Sequence, residues 1–191
     1  MGFLTDVGSM LVQLIGGLLL SVLALRVVLP LVALRFSNPL CQIIYKFTNP
    51  VISPLARLLP TWRKLSLAAV LLLCLVALLE IVILLSLAGF PLQAPQIVLS
   101  TLGSLVYFML GAAFWAVVIR ALMSWFSVDY GNPAVEVLFA ITDPVLRPFR
   151  KLPPRNVGFD LSPLYAGFVL RICMRLIEHL MAGNGILILQ L

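Results

Sequence analysis

The chain has 191 residues, of which 62% are hydrophobic and only 10% charged, with a formal net charge of +6 and a mean hydropathy of +1.15. A soluble domain is about half apolar and a quarter charged, so this composition excludes an ordinary water-facing surface. The length would suit one soluble domain, but the apolar residues fall in runs long enough for lipid to be the solvent.

In chain order, Val7 to Leu25 is uncharged, and the apolar pattern continues past Arg26 to Leu34. Leu65 to Phe90 carries one charge, Glu80, and Ile97 to Ile119 carries none. All three exceed the roughly 18 apolar residues that mark a spanning helix. The first run is not expected to be a cleaved signal peptide, because Asp6 stands before it and no Lys or Arg does. A fourth candidate, Leu161 to Leu180, begins apolar but holds Arg171, Arg175, Glu178 and His179. Each central charge costs about 3 kcal/mol on insertion scales, so hydropathy alone does not carry it.

An internal repeat does. At a spacing of 94 residues, Arg26 matches Arg120, Asn38-Pro39 matches Asn132-Pro133, and Thr48-Asn49-Pro50-Val51 matches Thr142-Asp143-Pro144-Val145. Pro54 matches Pro148, Pro60 matches Pro154 and Leu67 matches Leu161, without a gap. The expectation is an all-α membrane protein of four transmembrane helices in two parallel repeats. Residues 1–94 would form the first repeat, with spans near 8–34 and 65–90 and a basic loop at 35–64. Residues 95–191 would form the second, with spans near 97–124 and 160–181 and a basic loop at 125–159.

Charge placement orients this scheme. Arg35, Lys46, Arg57, Arg63 and Lys64 lie in the first loop, and Arg147, Arg150, Lys151 and Arg155 in the second. The N-terminal stretch, the 90–96 connection and the tail after Leu180 have no Lys or Arg. Basic residues in short loops mark the cytoplasmic side, which places both termini outside. Arg26 and Arg120, near the cytoplasmic helix ends, can reach headgroups. The positive charge suits anionic lipid, while no basic-aromatic module points to sequence-specific nucleic acid.

Within each loop, Asn before Pro predicts a helix start, since Asn caps free N–H groups and Pro fits the first helical position. Leu40, Ile43, Ile44 and Phe47 then share one predicted face, as do Ala134, Val137, Leu138 and Ile141 in the second copy. Asn49-Pro50 and Asp143-Pro144 predict the restart of a second short helix, with Val51, Leu55 and Leu58 on one face and Phe149 in place of Leu55 in the second copy. Such short amphipathic helices flanked by bases lie in the membrane interface. The sharper alternative is a re-entrant pore, because Asn132-Pro133-Ala134 spells the Asn-Pro-Ala of aquaporin-type channels. Parallel repeats argue against it, since half-helices meet at mid-membrane only in inverted repeats.

Intramembrane charge is the other functional candidate. Glu80 and Arg175 fall at similar predicted depths, so they are expected to pair, with Arg171 one turn away. The pair reads first as structural, and second as part of an ion path. Catalysis gains little support. His179 is the only histidine, Cys41, Cys74 and Cys173 are scattered, and neither a G-x-S-x-G serine nor a phosphate-binding glycine loop occurs. No metal, cofactor or small-molecule substrate is expected.

The combination of Arg26, Asn38, Pro39, Thr48, Pro50 and Pro54 with Arg120, Asn132, Pro133, Thr142, Pro144 and Pro148 resembles the YggT/YlmG family of small bacterial and plastid membrane proteins. The resemblance covers nearly the whole chain. It implies a bacterial inner-membrane location, and it links relatives to osmotic or potassium homeostasis, cell division, plastid nucleoid distribution and cytochrome b6 haem attachment; it brings no catalytic residues. The reading is a non-catalytic organising or assembly factor that contacts lipids and other membrane proteins or copies of itself. Arg57, Arg63, Lys64, Arg147, Arg150 and Lys151 would make the lipid or partner contact. The alternative is an ion-linked transporter or channel component using Glu80, Arg171 and Arg175, with an intramembrane enzyme more distant.

Overall fold

The fold was analysed in a computed structural model. It describes residues 2–32, 34, 37–91, 93–125, 129–152 and 160–183, so the expectations for Arg35, Pro154 and Arg155 lie outside the described residues. Six α-helices follow in order: α1 (Phe3–Val28), α2 (Pro39–Ala56), α3 (Leu67–Leu87), α4 (Ala94–Met123), α5 (Pro133–Leu146) and α6 (Ser162–Ala182). A two-residue antiparallel ladder, β1 (Thr61–Trp62) with β2 (Leu65–Ser66), precedes α3, and a 3-10 turn (Phe149–Lys151) follows α5.

Three of these helices, α1, α3 and α4, are long and apolar enough to cross a membrane. At 1.5 Å per residue, α3 is about 32 Å long, close to the roughly 30 Å hydrocarbon thickness. On α1, Leu4, Met10, Leu11, Leu14, Leu18 and Leu19 are all more than half exposed. A contiguous apolar surface of this kind is stable only against lipid or protein. The fourth expected span corresponds to α6, whose 21 residues give the same length as α3 but include Arg171, Arg175 and Glu178.

The two halves pack alike. The strongest contacts join α1 to α3 and α4 to α6, while α3 against α4 joins the halves. In the first half, Leu20, Leu23, Ala24 and Val27 of α1 close on Ala68, Ala69, Leu73 and Ala77 of α3. Three of those four α3 side chains are alanines, which let the backbones approach closely where lipid tails supply no hydrophobic drive between helices. Gly103 does the same in the second half, because a Cβ there would overlap Met181 of α6.

The loop helices differ from expectation in two respects. The first loop does not restart at Asn49-Pro50: α2 runs unbroken through Pro50 and Pro54 to Ala56. A proline inside a helix removes one N–H donor and crowds the carbonyl four residues back, but α2 is held along its length by packing against α1 and α3. In the second loop α5 also passes through Pro144, yet ends at Leu146 before the 3-10 turn. The expected apolar face of α2 is also divided. Leu40 and Ile44 pack inward against Leu29, Cys41 and Val137, whereas Ile43, Phe47 and Val51 are 49%, 77% and 51% exposed.

Both asparagine caps form as the sequence predicts. The side-chain oxygen of Asn38 accepts from the Leu40 N–H at 2.9 Å, and that of Asn132 from the Ala134 N–H at 2.9 Å. Among the described residues only Asn38 does more. Its Nδ2 donates to the Pro133 carbonyl at 3.0 Å and to Glu136 Oε2 at 2.7 Å, and the residue is buried. These bonds bring the starts of α2 and α5 together, so the two loop helices lie at the same end of the bundle. Asn38→Ala is therefore expected to cost about 2–3 kcal/mol, from the lost cap and the lost bond to a charged group, against about 1 kcal/mol for Asn132→Ala. Unfolding of the two variants in detergent micelles measures the difference.

Candidate functional site

Two arginines carry the repeated motif, and each clamps a loop helix to the end of a long helix. Arg120 stands in the last turn of α4. Its Nη1 donates to Thr142 Oγ1 at 2.7 Å, to the Phe139 carbonyl at 3.2 Å and to Asp143 Oδ1 at 2.7 Å. The guanidinium lies 4.1 Å from the centre of the Phe139 ring. Arg26, in the last turn of α1, repeats the arrangement on α2. It lies 3.4 Å from the centre of the Tyr45 ring, and its Nη2 donates to Asn49 Oδ1 at 3.4 Å. Tyr45 and Asn49 occupy the positions of Phe139 and Asp143 one repeat earlier. A cation over an aromatic face with one edge bonded to the loop is thus built twice.

The motif residues now have individual roles. Thr48 and Thr142 turn back into their own helices, donating to the Ile44 and Leu138 carbonyls at 2.7 Å, and both are buried. Pro39 and Pro133 occupy the first turns of α2 and α5. Pro50, Pro54 and Pro144 lie within the helices, and Pro148 starts the turn that ends at Lys151. Arg26 and Arg120, expected to reach headgroups, instead turn into the protein. Their aromatic partners are not identical between the repeats, Tyr45 standing where the second copy has Phe139, so the shared ring lies behind a mismatch.

The second clamp is the more strongly charged. Asp143 also accepts from Arg150 Nη2 at 2.9 Å. Burial alone would raise its carboxyl, but the bonds and charges of Arg120 and then Arg150 outweigh it and hold it below the ordinary carboxylate range. The sign follows directly. The ionised clamp contributes its full stability above the unfolded carboxyl value of about 3.9 and loses it as pH falls through the lower folded value. Amide exchange in α5, corrected for intrinsic rates, is expected to accelerate below about pH 4. Asp143→Asn, which copies the Asn49 version of the clamp, should abolish that acid sensitivity.

The expected ion pair between Glu80 and Arg175 is not formed. Arg175 donates to Glu178 Oε2 at 2.8 Å on its own helix, and Glu178 accepts from the Tyr107 hydroxyl at 2.9 Å. Arg171 lies 5.6 Å from the Phe114 ring centre. Glu80 is 3% exposed, and neither carboxyl oxygen has a hydrogen-bond partner among the described residues. Similar depth was not enough, because Glu80 is turned toward α1, where its carboxyl fills the space that a Cβ on Gly16 would need. Its counterpart 94 residues on is Met174, buried and packed near Gly111 of α4. The same slot therefore takes an apolar side chain in the other half. Glu80→Met should raise the unfolding midpoint in micelles by the equivalent of about 1–3 kcal/mol, the cost of a buried unpaired polar group; a fall would show that the carboxyl has a partner.

The six candidate contact bases are all exposed. Arg63 and Lys64 form the tip of the β1–β2 turn, and Arg63 adopts a positive φ of 56°. Arg57 follows α2, Arg147 follows α5, and Arg150 and Lys151 lie in the 3-10 turn. Arg150 is committed to Asp143. Among the described residues no group of three metal-ligating side chains occurs, and Cys41, Cys74 and Cys173 are free thiols.

Comparison with known proteins gives this geometry a family. The CCB3/YggT family description matches twice, over residues 6–87 and 99–181. An uncharacterized protein of Pseudomonas aeruginosa, PA0392, is 33% identical over 178 residues, covering 92% of this chain and 90% of the relative. The uncharacterized protein YggT of Escherichia coli K12 is 30% identical over 173 residues, covering 88% and 87%. The uncharacterized protein ycf19 of Guillardia theta is 36% identical over 64 residues, covering 32% of this chain and 69% of the relative. No solved structure matches the chain. With the double match and relatives aligned over most of its length, the chain belongs to the CCB3/YggT family.

Proposed function

We propose that the chain is a multi-pass inner-membrane protein that acts non-catalytically, organising or assembling other membrane components. In this reading α6 is a fourth crossing, the loop helices face the cytoplasm and both termini lie outside. The observation that carries it is the duplicated arginine clamp. Two long helix ends hold two amphipathic helices that meet at their starts, with the apolar Ile43, Phe47 and Val51 exposed and exposed bases following each helix. A fixed apolar and basic ledge suits docking on lipid headgroups or an acidic membrane partner. A transition state would need a reactive constellation, whereas a docking surface needs only preorganised shape and charge.

A second reading, an ion-linked transporter or channel component, draws on Glu80, a buried carboxyl with no partner among the described residues. It is weakened by Arg171 and Arg175, which belong to a separate polar group with Tyr107 and Glu178 on the α4–α6 side. Reversing the charge of Arg57, Arg63, Lys64, Arg147, Arg150 and Lys151 should release a stoichiometric partner captured in mild detergent, or erase a preference for anionic vesicles. Unchanged partners and lipid preference would refute the organising role. An ion flux in liposomes that is abolished by Glu80→Gln would favour the transporter instead.

A further inference from the structure

A cleft of about 1230 Å³ separates the two halves, walled by α1, α4 and α5. It is larger than the roughly 300–1,000 Å³ of compact small-molecule sites, and it is open, since lining residues Ser21, Leu31 and Ala112 are exposed. Its character changes along its length. On the two long helices the wall is Ala24, Val28, Phe108, Met109 and Ala112. The one hydroxyl there, Ser21, already donates to the Gly17 carbonyl at 2.7 Å. That wall asks for no polar group from a ligand.

The mouth, beside α5, is charged. Its two carboxylates have internal partners: Asp143 takes Arg120 and Arg150, and Glu136 takes Asn38. Arg147 differs. It lines the cleft, and its guanidinium makes no hydrogen bond or ion pair with the described residues. The uncommitted charge at the mouth is therefore positive, above an apolar slot.

We propose that this cleft is a binding site for one anionic glycerophospholipid, its phosphate on Arg147 and an acyl chain against Ala24, Val28, Phe108 and Ala112. The assignment rests on the reading that the clamped end faces the headgroup layer. A guanidinium meets phosphate with paired, charge-assisted bonds, and the change from charge to alkyl wall matches an amphiphile entering head-outward. A partner helix is a poorer occupant. Ser21 to Val28 spans only about 10 Å of α1, against the roughly 30 Å that a crossing helix must cover.

The test reconstitutes the full chain in vesicles of equal phosphatidylglycerol and phosphatidylcholine, extracts it in mild detergent and counts retained lipid by native mass spectrometry. One phosphatidylglycerol per chain is expected. Ala112→Trp, which fills the slot, should remove it, and Arg147→Gln should reduce its retention about tenfold or more. Arg147 is exposed, so that variant keeps the proposal falsifiable if the tryptophan disturbs folding. Charge reversal at Arg57, Arg63 and Lys64 should leave the lipid bound, whatever it does to partner capture, which separates this site from the part of the docking ledge that does not line the cleft. Retention unchanged by Ala112→Trp and Arg147→Gln would overturn the proposal. So would equal loss on reversing the distant bases, or a cleft found closed by a second copy of the chain with no lipid.

Discussion

The arrangement of this molecule depends on what a buried guanidinium requires. Arg26 is 9% exposed, and the Arg120 side chain 12%. An arginine cannot shed its charge, so taking it out of water demands acceptors and a polarisable surface nearby. The loop helices supply most of them, Arg26 Nε being buried with no acceptor among the described residues. Tyr45 and Phe139 offer ring faces, Asn49 and Asp143 offer oxygens, and in supplying them each loop helix is pinned across the end of a long helix. The motif proline pairs and threonines shape α2 and α5 so that these groups arrive in place. The shared element of the two halves is thus a solution to one electrostatic problem, used twice.

Some of this was legible in the residues and some was not. The long helices, the caps and the repeat register depend on local chemistry and periodicity, which a single sequence displays. The continuity of α2 was not visible, because Asn-Pro is a good helix start when nothing packs on the preceding turn, and only the contacts with α1 and α3 decide that the helix goes on. The Glu80–Arg175 pairing failed for a related reason. Depth follows from counting along a helix, but facing depends on which neighbour the helix turns toward. Gly16, with no side chain opposite Glu80, was the available signal, and it becomes meaningful only once α1 and α3 are known to touch.

Duplication also makes departures from symmetry informative. Asn38 and Asn132 cap their helices identically, yet only Asn38 crosses to the other half, since one bridge at the seam uses one member of each pair. Asn49 and Asp143 differ by a charge, and the charged version also recruits Arg150. Glu80 and Met174 differ more strongly, an acid where the sister helix needs only bulk. Packing accounts for Met174 and does not account for Glu80.

These asymmetries converge on the space between the halves. Asn38 joins α2 to α5 at the seam, α3 joins α4 beneath it, and the cleft occupies the region these contacts leave open on the side of α1 and α5. Had both clamps carried an aspartate and a second arginine, the charges at that end would be symmetric. Instead the second half places Asp143, Arg147 and Arg150 on the cleft, with Arg120 bound to Asp143, while the first half presents Arg63 and Lys64 on the β1–β2 turn. Duplication supplied two equal frames, and divergence in α5 gave one of them a charged mouth over an apolar slot.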